Sequence, residues 1–136
     1  MVEEIHVSAV VLRNEDGGVL TVRKRGTRRF MFPGGKPKPG ESAADTAVRE
    51  AREEVGVELD PHALHPLGTF RADAANEDGA EVVATVFTHP AVAVGEAAGE
   101  IEEIRWQPLL DHYPDDVAPL LAHHVLPALL DPQHPG

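Results

Sequence analysis

The chain contains no cysteine, which removes disulfides, thiolate metal sites and a thiol nucleophile at once. Aromatic residues make up only 4%, and core packing is the default role for each of them. Positive charge is also scarce: 12 Lys and Arg stand against 23 Asp and Glu, for a formal net charge of -11. A field of that sign repels polyanions, which opposes nucleic acid and anionic membranes as partners and favours multivalent cations. No apolar run approaches the length needed to span a bilayer. The first residues, Met1 to His6, carry acids where a signal peptide would carry Lys or Arg, so a cytoplasmic location is expected. The eight histidines form no HExxH pattern, and His123 and His124 read as a surface or dimer contact.

What remains suits one domain over 1–136, with 42% hydrophobic and 26% charged residues. Ile5, Val7, Ala9 and Val11 alternate, a second apolar run follows at Val19 to Val22, and Asn14 to Gly18 between them predicts a β-hairpin. Pro33 to Gly40 holds three prolines and three glycines, which predicts a constrained loop without regular structure. Ser42 with Asp45 predicts a capping box; Ala44, Ala47, Val48, Ala51 and Val55 recur at helical spacing, and Gly56 is placed to stop the helix. Further strands are expected at Leu67 to Ala72, Val82 to Thr88 and Glu103 to Gln107, the first two around an Asn76–Gly79 turn. Ala91 to Gly99 reads as a mobile loop, and Asp116 to Leu130 as a helix that Pro127 kinks or shortens. The order of elements indicates an α/β domain whose mixed sheet is covered by helices.

Glu50, Glu53 and Glu54 fall at i, i+3 and i+4, on a face opposite the alanine and valine stripe. Three like charges there repel unless a hard cation gathers their oxygens, and carboxylates without His or Cys suit Mg²⁺ first and Mn²⁺ second. Three glutamates alone read more often as a solvated acidic face. Their context reverses that weighting. Gly35, Glu41, Arg49, Glu50, Glu53, Glu54 and Gly56 match every fixed identity of a 35–57 stretch that resembles the signature box of the Nudix hydrolase family. A chance match somewhere in the chain is on the order of one in a million. Ala51, where the family often has a larger aliphatic residue, is a departure that touches packing more than chemistry. Phe30 to Gly35 and Glu100 to Trp106 resemble the flanks of that box.

The resemblance implies a Nudix fold, an α/β/α sandwich with a mixed sheet, and an enzyme acting on phosphoric anhydride bonds. It implies metal ligation by Glu50, Glu53, Glu54 and the Gly35 carbonyl, carboxylate steering by Arg49, and a structural Glu41. Glu53 and Glu54 are the candidates for the general base within the box, with Glu100, Glu102 and Glu103 as distal ones; Glu103 is favoured on strand alternation. Arg23, Lys24, Arg25, Arg28, Arg29, Lys36 and Lys38 form one basic stretch; one or two of the first five, with Arg23 foremost, and Lys36 are expected on substrate phosphates, and Phe30 and Trp106 are the aromatics expected at the base.

The size looks like the branch that hydrolyses nucleoside triphosphates, including ones with a damaged base, to monophosphate and pyrophosphate. An ADP-ribose or nucleotide-sugar hydrolase and a non-catalytic nucleotide sensor are the alternatives. An isoprenoid isomerase on the same fold would need the absent cysteine, and RNA-end processing a broader basic surface. A homodimer is compatible with the sequence, though no residue demonstrates it.

Overall fold

Both faces of the first strand are apolar, and this decides the architecture. The computed structural model describes residues 3–73 and 79–130. Its strands are β1 (Glu3–Val11), β2 (Val19–Lys24), β3 (Gly34–Gly35), β4 (His65–Asp73), β5 (Ala80–Thr88) and β6 (Ile101–Gln107). Ala9 and Val11 enter one buried cluster with Phe32, Val86, Leu121 and Val125. Val10 and Leu12 enter another with Leu20, Ala51, Val55 and Ile101. A strand buried on both faces must lie inside a sheet. β1 does so, running parallel to β5 and antiparallel to β3 in a four-stranded sheet of order β3-β1-β5-β4. β2 and β6 form a separate antiparallel pair. The first cluster is closed by the C-terminal helical segment and the second by helix α1 (Ala43–Val55), which gives the expected α/β/α sandwich with a mixed sheet.

Helix α1 starts and stops where its local chemistry dictates. Ser42 caps it, accepting from the Asp45 amide at 3.0 Å while the Asp45 carboxylate accepts from the Ser42 amide. Gly56 ends it in the left-handed conformation at φ 64°, with its N–H turned to the last carbonyls. Ala47, Ala51 and Val55 are fully buried, whereas Ala44 and Val48 are only partly covered.

Four expectations are corrected. The β1–β2 hairpin forms only at its turn, where Asn14 bonds Gly17 and Gly18; beyond the Arg13–Val19 bridge the strands part into different sheets. The glycine-rich loop contains a two-residue strand, because Gly34 and Gly35 pair with Ala9 and Ser8. Residues 91–99 lack regular structure but are fastened down: the Gly95 and Ala98 amides donate to the Val55 and Glu54 carbonyls, supplying partners that the helix end lacks. The terminal helix begins after Asp116, whose carboxylate is engaged by Arg105. Helical residues run through 119–130 as a π-helical turn (Leu121–Val125) followed by α2 (Leu126–Leu130). Pro127 has no N–H and would crowd the preceding turn; the wider turn, closed by Leu126 N–H to Leu121 O, relieves that crowding. The expected Asn76–Gly79 turn falls outside the described residues except for Gly79.

The close approach of β3 to β1 needs glycine. A Cβ on Gly34 would overlap the Ser8 carbonyl oxygen and lie 2.8 Å from Ala9 Cα, and neither is free to move. Gly34→Ala is expected to destabilise the protein by about 3 kcal/mol, read from the urea midpoint; an unchanged midpoint would show that β3 does not pack as described.

Candidate active site

The β1–β3 pairing holds the glycine-rich segment against α1, and a cleft of about 670 Å³ opens there. Gly35, Lys36, Arg49, Glu50, Glu53 and Glu54 all line it, so the box residues expected to do chemistry share one wall. Their environments differ sharply, because the helix rotates its three glutamates through different depths.

Glu54 is buried, with only 4% of its surface exposed, which corrects the expectation that all three carboxylates project away from the core. Its Oε1 accepts the Gly34 N–H at 3.0 Å. Burial pushes its carboxyl up to about 8; the Glu50 carboxylate adds to the rise, and the Gly34 N–H and Lys24 oppose it. Without a bound cation Glu54 therefore keeps its proton at neutral pH. Glu53 is half-exposed at the cleft mouth.

Arg49 organises the rest. Its Nε and Nη2 donate to the two oxygens of Glu41 at 2.7 and 3.0 Å, its Nη1 to Glu50 at 2.9 Å and Glu53 at 3.3 Å, and its Nη2 to the Lys36 carbonyl at 3.1 Å. One guanidinium thus joins the loop, the helix start and two carboxylates. Glu41 also accepts the Lys38 N–H at 2.9 Å, with the Thr46 hydroxyl 2.9 Å away. The Arg49 hydrogen bonds, followed by that of Lys38, hold its carboxyl down at about 2. Glu41 is the structural tie the sequence implied; buried Thr46, which completes it, carried no recognisable signal.

The donor set fits a hard divalent cation: three carboxylates and a main-chain carbonyl, all oxygen. A Cβ on Gly35 would lie 2.6 Å from the Glu50 carboxyl carbon, so only glycine lets that carboxylate rest against the main chain. Among the described residues, however, no three acidic or histidine side chains are drawn together into a ready-made cation cage. The reason is visible in the hydrogen bonds, since Arg49 holds Glu50 and Glu53, and Gly34 holds Glu54. Gly35→Ala is expected to displace the Glu50 carboxylate and lower turnover by about 10- to 100-fold, the scale of a disturbed ligand shell. Unlike Gly34→Ala it should leave the urea midpoint near wild type, because the displaced group is the flexible end of a side chain.

Four other expected residues lie outside the cleft. Arg23 is bound to Glu103 at 3.2 Å and to the Thr27 carbonyl, so the favoured distal glutamate and the favoured strand cation occupy each other. Phe30 is buried beneath the Arg105 guanidinium, 3.8 Å from its ring centroid. Trp106 is 37% exposed on β6, away from the cleft. A register shift between Arg23 and Lys24 is responsible for part of this: Arg23 pairs with Glu103, Lys24 with Ile101. Lys24 lines the cleft in place of Arg23, and Glu100 lines it in place of Glu103. Lys38, from the same basic stretch, also lines it, as does Asp73, which no sequence signal singled out.

A profile of the NUDIX domain matches residues 3–129. An RNA pyrophosphohydrolase from a Marinomonas species is 39% identical over 62 residues, 46% of this chain and 37% of that protein. An isopentenyl-diphosphate Delta-isomerase from Cutibacterium acnes is 30% identical over 132 residues, 85% of this chain and 63% of that protein. The chain thus spans between about a third and two-thirds of the length of these curated relatives. The crystal structure of a MutT NUDIX hydrolase from Burkholderia pseudomallei superposes with a TM-score of 0.71 at 21% identity, covering 93% of this chain and 96% of that one, a likeness of fold. With the box residues gathered on one cleft wall and the domain profile spanning nearly all of its length, this chain belongs to the Nudix hydrolase family.

Proposed function

We propose that this protein is a Mg²⁺-dependent pyrophosphohydrolase, with Mn²⁺ able to substitute, that splits a nucleoside triphosphate, including one with an oxidised base, into monophosphate and pyrophosphate. One observation carries the reading. Six of the nine arginines are ion-paired, yet all three lysines, Lys24, Lys36 and Lys38, form no ion pair among the described residues, and all three line the cleft of the box glutamates. Unpaired cations beside a carboxylate cluster suit a polyphosphate chain bridged by a divalent ion.

Glu50, Glu53, Glu54 and the Gly35 carbonyl would hold the metal, which neutralises phosphate oxygens and acidifies a water when bound. The lysines hold the non-bridging phosphate oxygens, and Arg49 keeps Glu50 and Glu53 aimed at the cleft. Water attacks one phosphorus, a P–O bond of the anhydride breaks, and the water proton passes to a carboxylate. Glu53 and Glu100, which both line the cleft, are the carboxylates we assign to take it. The apolar inner wall, with Val7, Met31, Phe32 and Leu121, receives the base.

The net charge of -11 argues against an RNA substrate, and the absence of cysteine against isomerase chemistry. The deciding experiment measures phosphate release from nucleoside triphosphates, oxidised purine triphosphates, ADP-ribose and dinucleoside polyphosphates, in Mg²⁺ or EDTA, with a coupled pyrophosphatase or phosphatase. Metal-dependent turnover of a triphosphate supports the reading. Turnover of ADP-ribose alone moves the assignment to that class, and binding without turnover of any makes the protein a sensor.

A further inference from the structure

Arg28 and Arg29 depart from the pairing that governs most other arginines. Neither guanidinium forms an ion pair with a described residue, and Asp116, whose carboxylate feels the charge of Arg28, gives both oxygens to Arg105 at 2.7 and 3.0 Å. Both arginines line a second cleft of about 480 Å³ with Asp111, His112, Tyr113 and Asp115. Its walls are held by two backbone hydrogen bonds and one to a side chain. Phe30 N–H donates to the Asp116 carbonyl at 2.6 Å, Ala118 N–H to the Phe30 carbonyl at 3.0 Å, and Leu110 N–H to the Tyr113 hydroxyl at 2.9 Å. The segments thus joined separate the two clefts, since Met31 and Ala118 line the first while Arg29 and Val117 line the second.

We propose that this second cleft is a non-catalytic binding site for a nucleoside phosphate. Two adjacent guanidinium groups match phosphate oxygens in charge and fork geometry. Asp111 and Asp115 would repel a bare inorganic anion but accept hydrogen bonds from sugar hydroxyls, and Tyr113, packed on its other side against the core, gives the cleft an aromatic edge for a base. The box glutamates line only the first cleft, so binding in the second leads to no hydrolysis there.

The test is an amide-resolved NMR titration of the whole chain with AMP in EDTA, which removes metal-dependent occupancy of the first cleft and makes the result independent of turnover. Saturable shifts at Arg28, Arg29, His112 and Tyr113 are expected, weakened at least about tenfold in affinity by Arg28→Gln combined with Arg29→Gln. Unchanged signals from Gly34 to Lys38 in that variant would certify its fold. Shifts confined to the first cleft, or surviving the double substitution at full affinity, would overturn the site. Inorganic pyrophosphate binding there as tightly as AMP would overturn the nucleoside assignment.

Discussion

Glu53→Gln is expected to lower kcat by about three orders of magnitude while leaving the melting temperature unchanged. Withdrawing one charged ligand removes several kcal/mol of transition-state charge stabilisation, and each 1.4 kcal/mol or so is a factor of about ten in rate. The fold should tolerate the change because Glu53 is 52% exposed and its described side-chain partner is Arg49 at 3.3 Å. Glutamine keeps the shape and loses the charge that Arg49 uses and that the proposed cation would use. Steady-state kinetics over a Mg²⁺ titration, paired with thermal melting, separate the two effects. Wild-type rates at limiting Mg²⁺ would remove Glu53 from the metal site.

Glu54 carries the second large effect, and its sign is opposite to that of an ordinary surface carboxylate. Its pKa is raised to about 8 from the ordinary carboxyl value of 4.5, so between those pH values the folded protein holds a proton that the unfolded chain has released. Stability of the metal-free protein therefore falls as pH rises through that window. At about 1.4 kcal/mol for each pH unit by which folding moves the ionisation, the loss is on the order of a few kcal/mol. Thermal melts in EDTA should show a lower midpoint at pH 8 than at pH 5. Glu54→Gln, which still offers an oxygen to the Gly34 N–H, should flatten that slope and raise the midpoint at pH 8 while abolishing turnover. A divalent cation must displace the same proton, so stabilisation by Mg²⁺ should be larger at pH 8 than at pH 6. A pH-independent midpoint in the wild type would show that Glu54 is not buried as described. Glu41 behaves the other way: held at about 2, it contributes stability present above pH 4.5 and lost as pH falls towards 2.

Local chemistry was legible wherever neighbours in sequence are also neighbours in space. The capping box, the Gly56 stop and the carboxylates of α1 follow from i, i+3 and i+4 geometry, which tertiary packing does not alter. A structural Glu41 and a carboxylate-steering Arg49 were implied by the resemblance, but that the two bond each other came from the structure. Residues on β6 were harder to place. Glu103 looked suitable by alternation, yet choosing between it and Glu100 depends on how β6 pairs with a strand some 80 positions earlier, and on a register shift that periodicity does not reveal. Arg23 failed for a different reason: it lies on the face of β2 opposite that of buried Val22 and of Lys24, and Lys24 is the one that lines the cleft.

From the sequence alone came the α/β class, the helix that bears three carboxylates and the family whose box they complete, because short-range spacing determines each of these. Only the tertiary structure decided which carboxylate is buried, which cations are left unpaired, and which residues wall the clefts. Burial and pairing depend on contacts between segments distant in the chain, and a one-residue shift in strand register is enough to exchange one side chain for another.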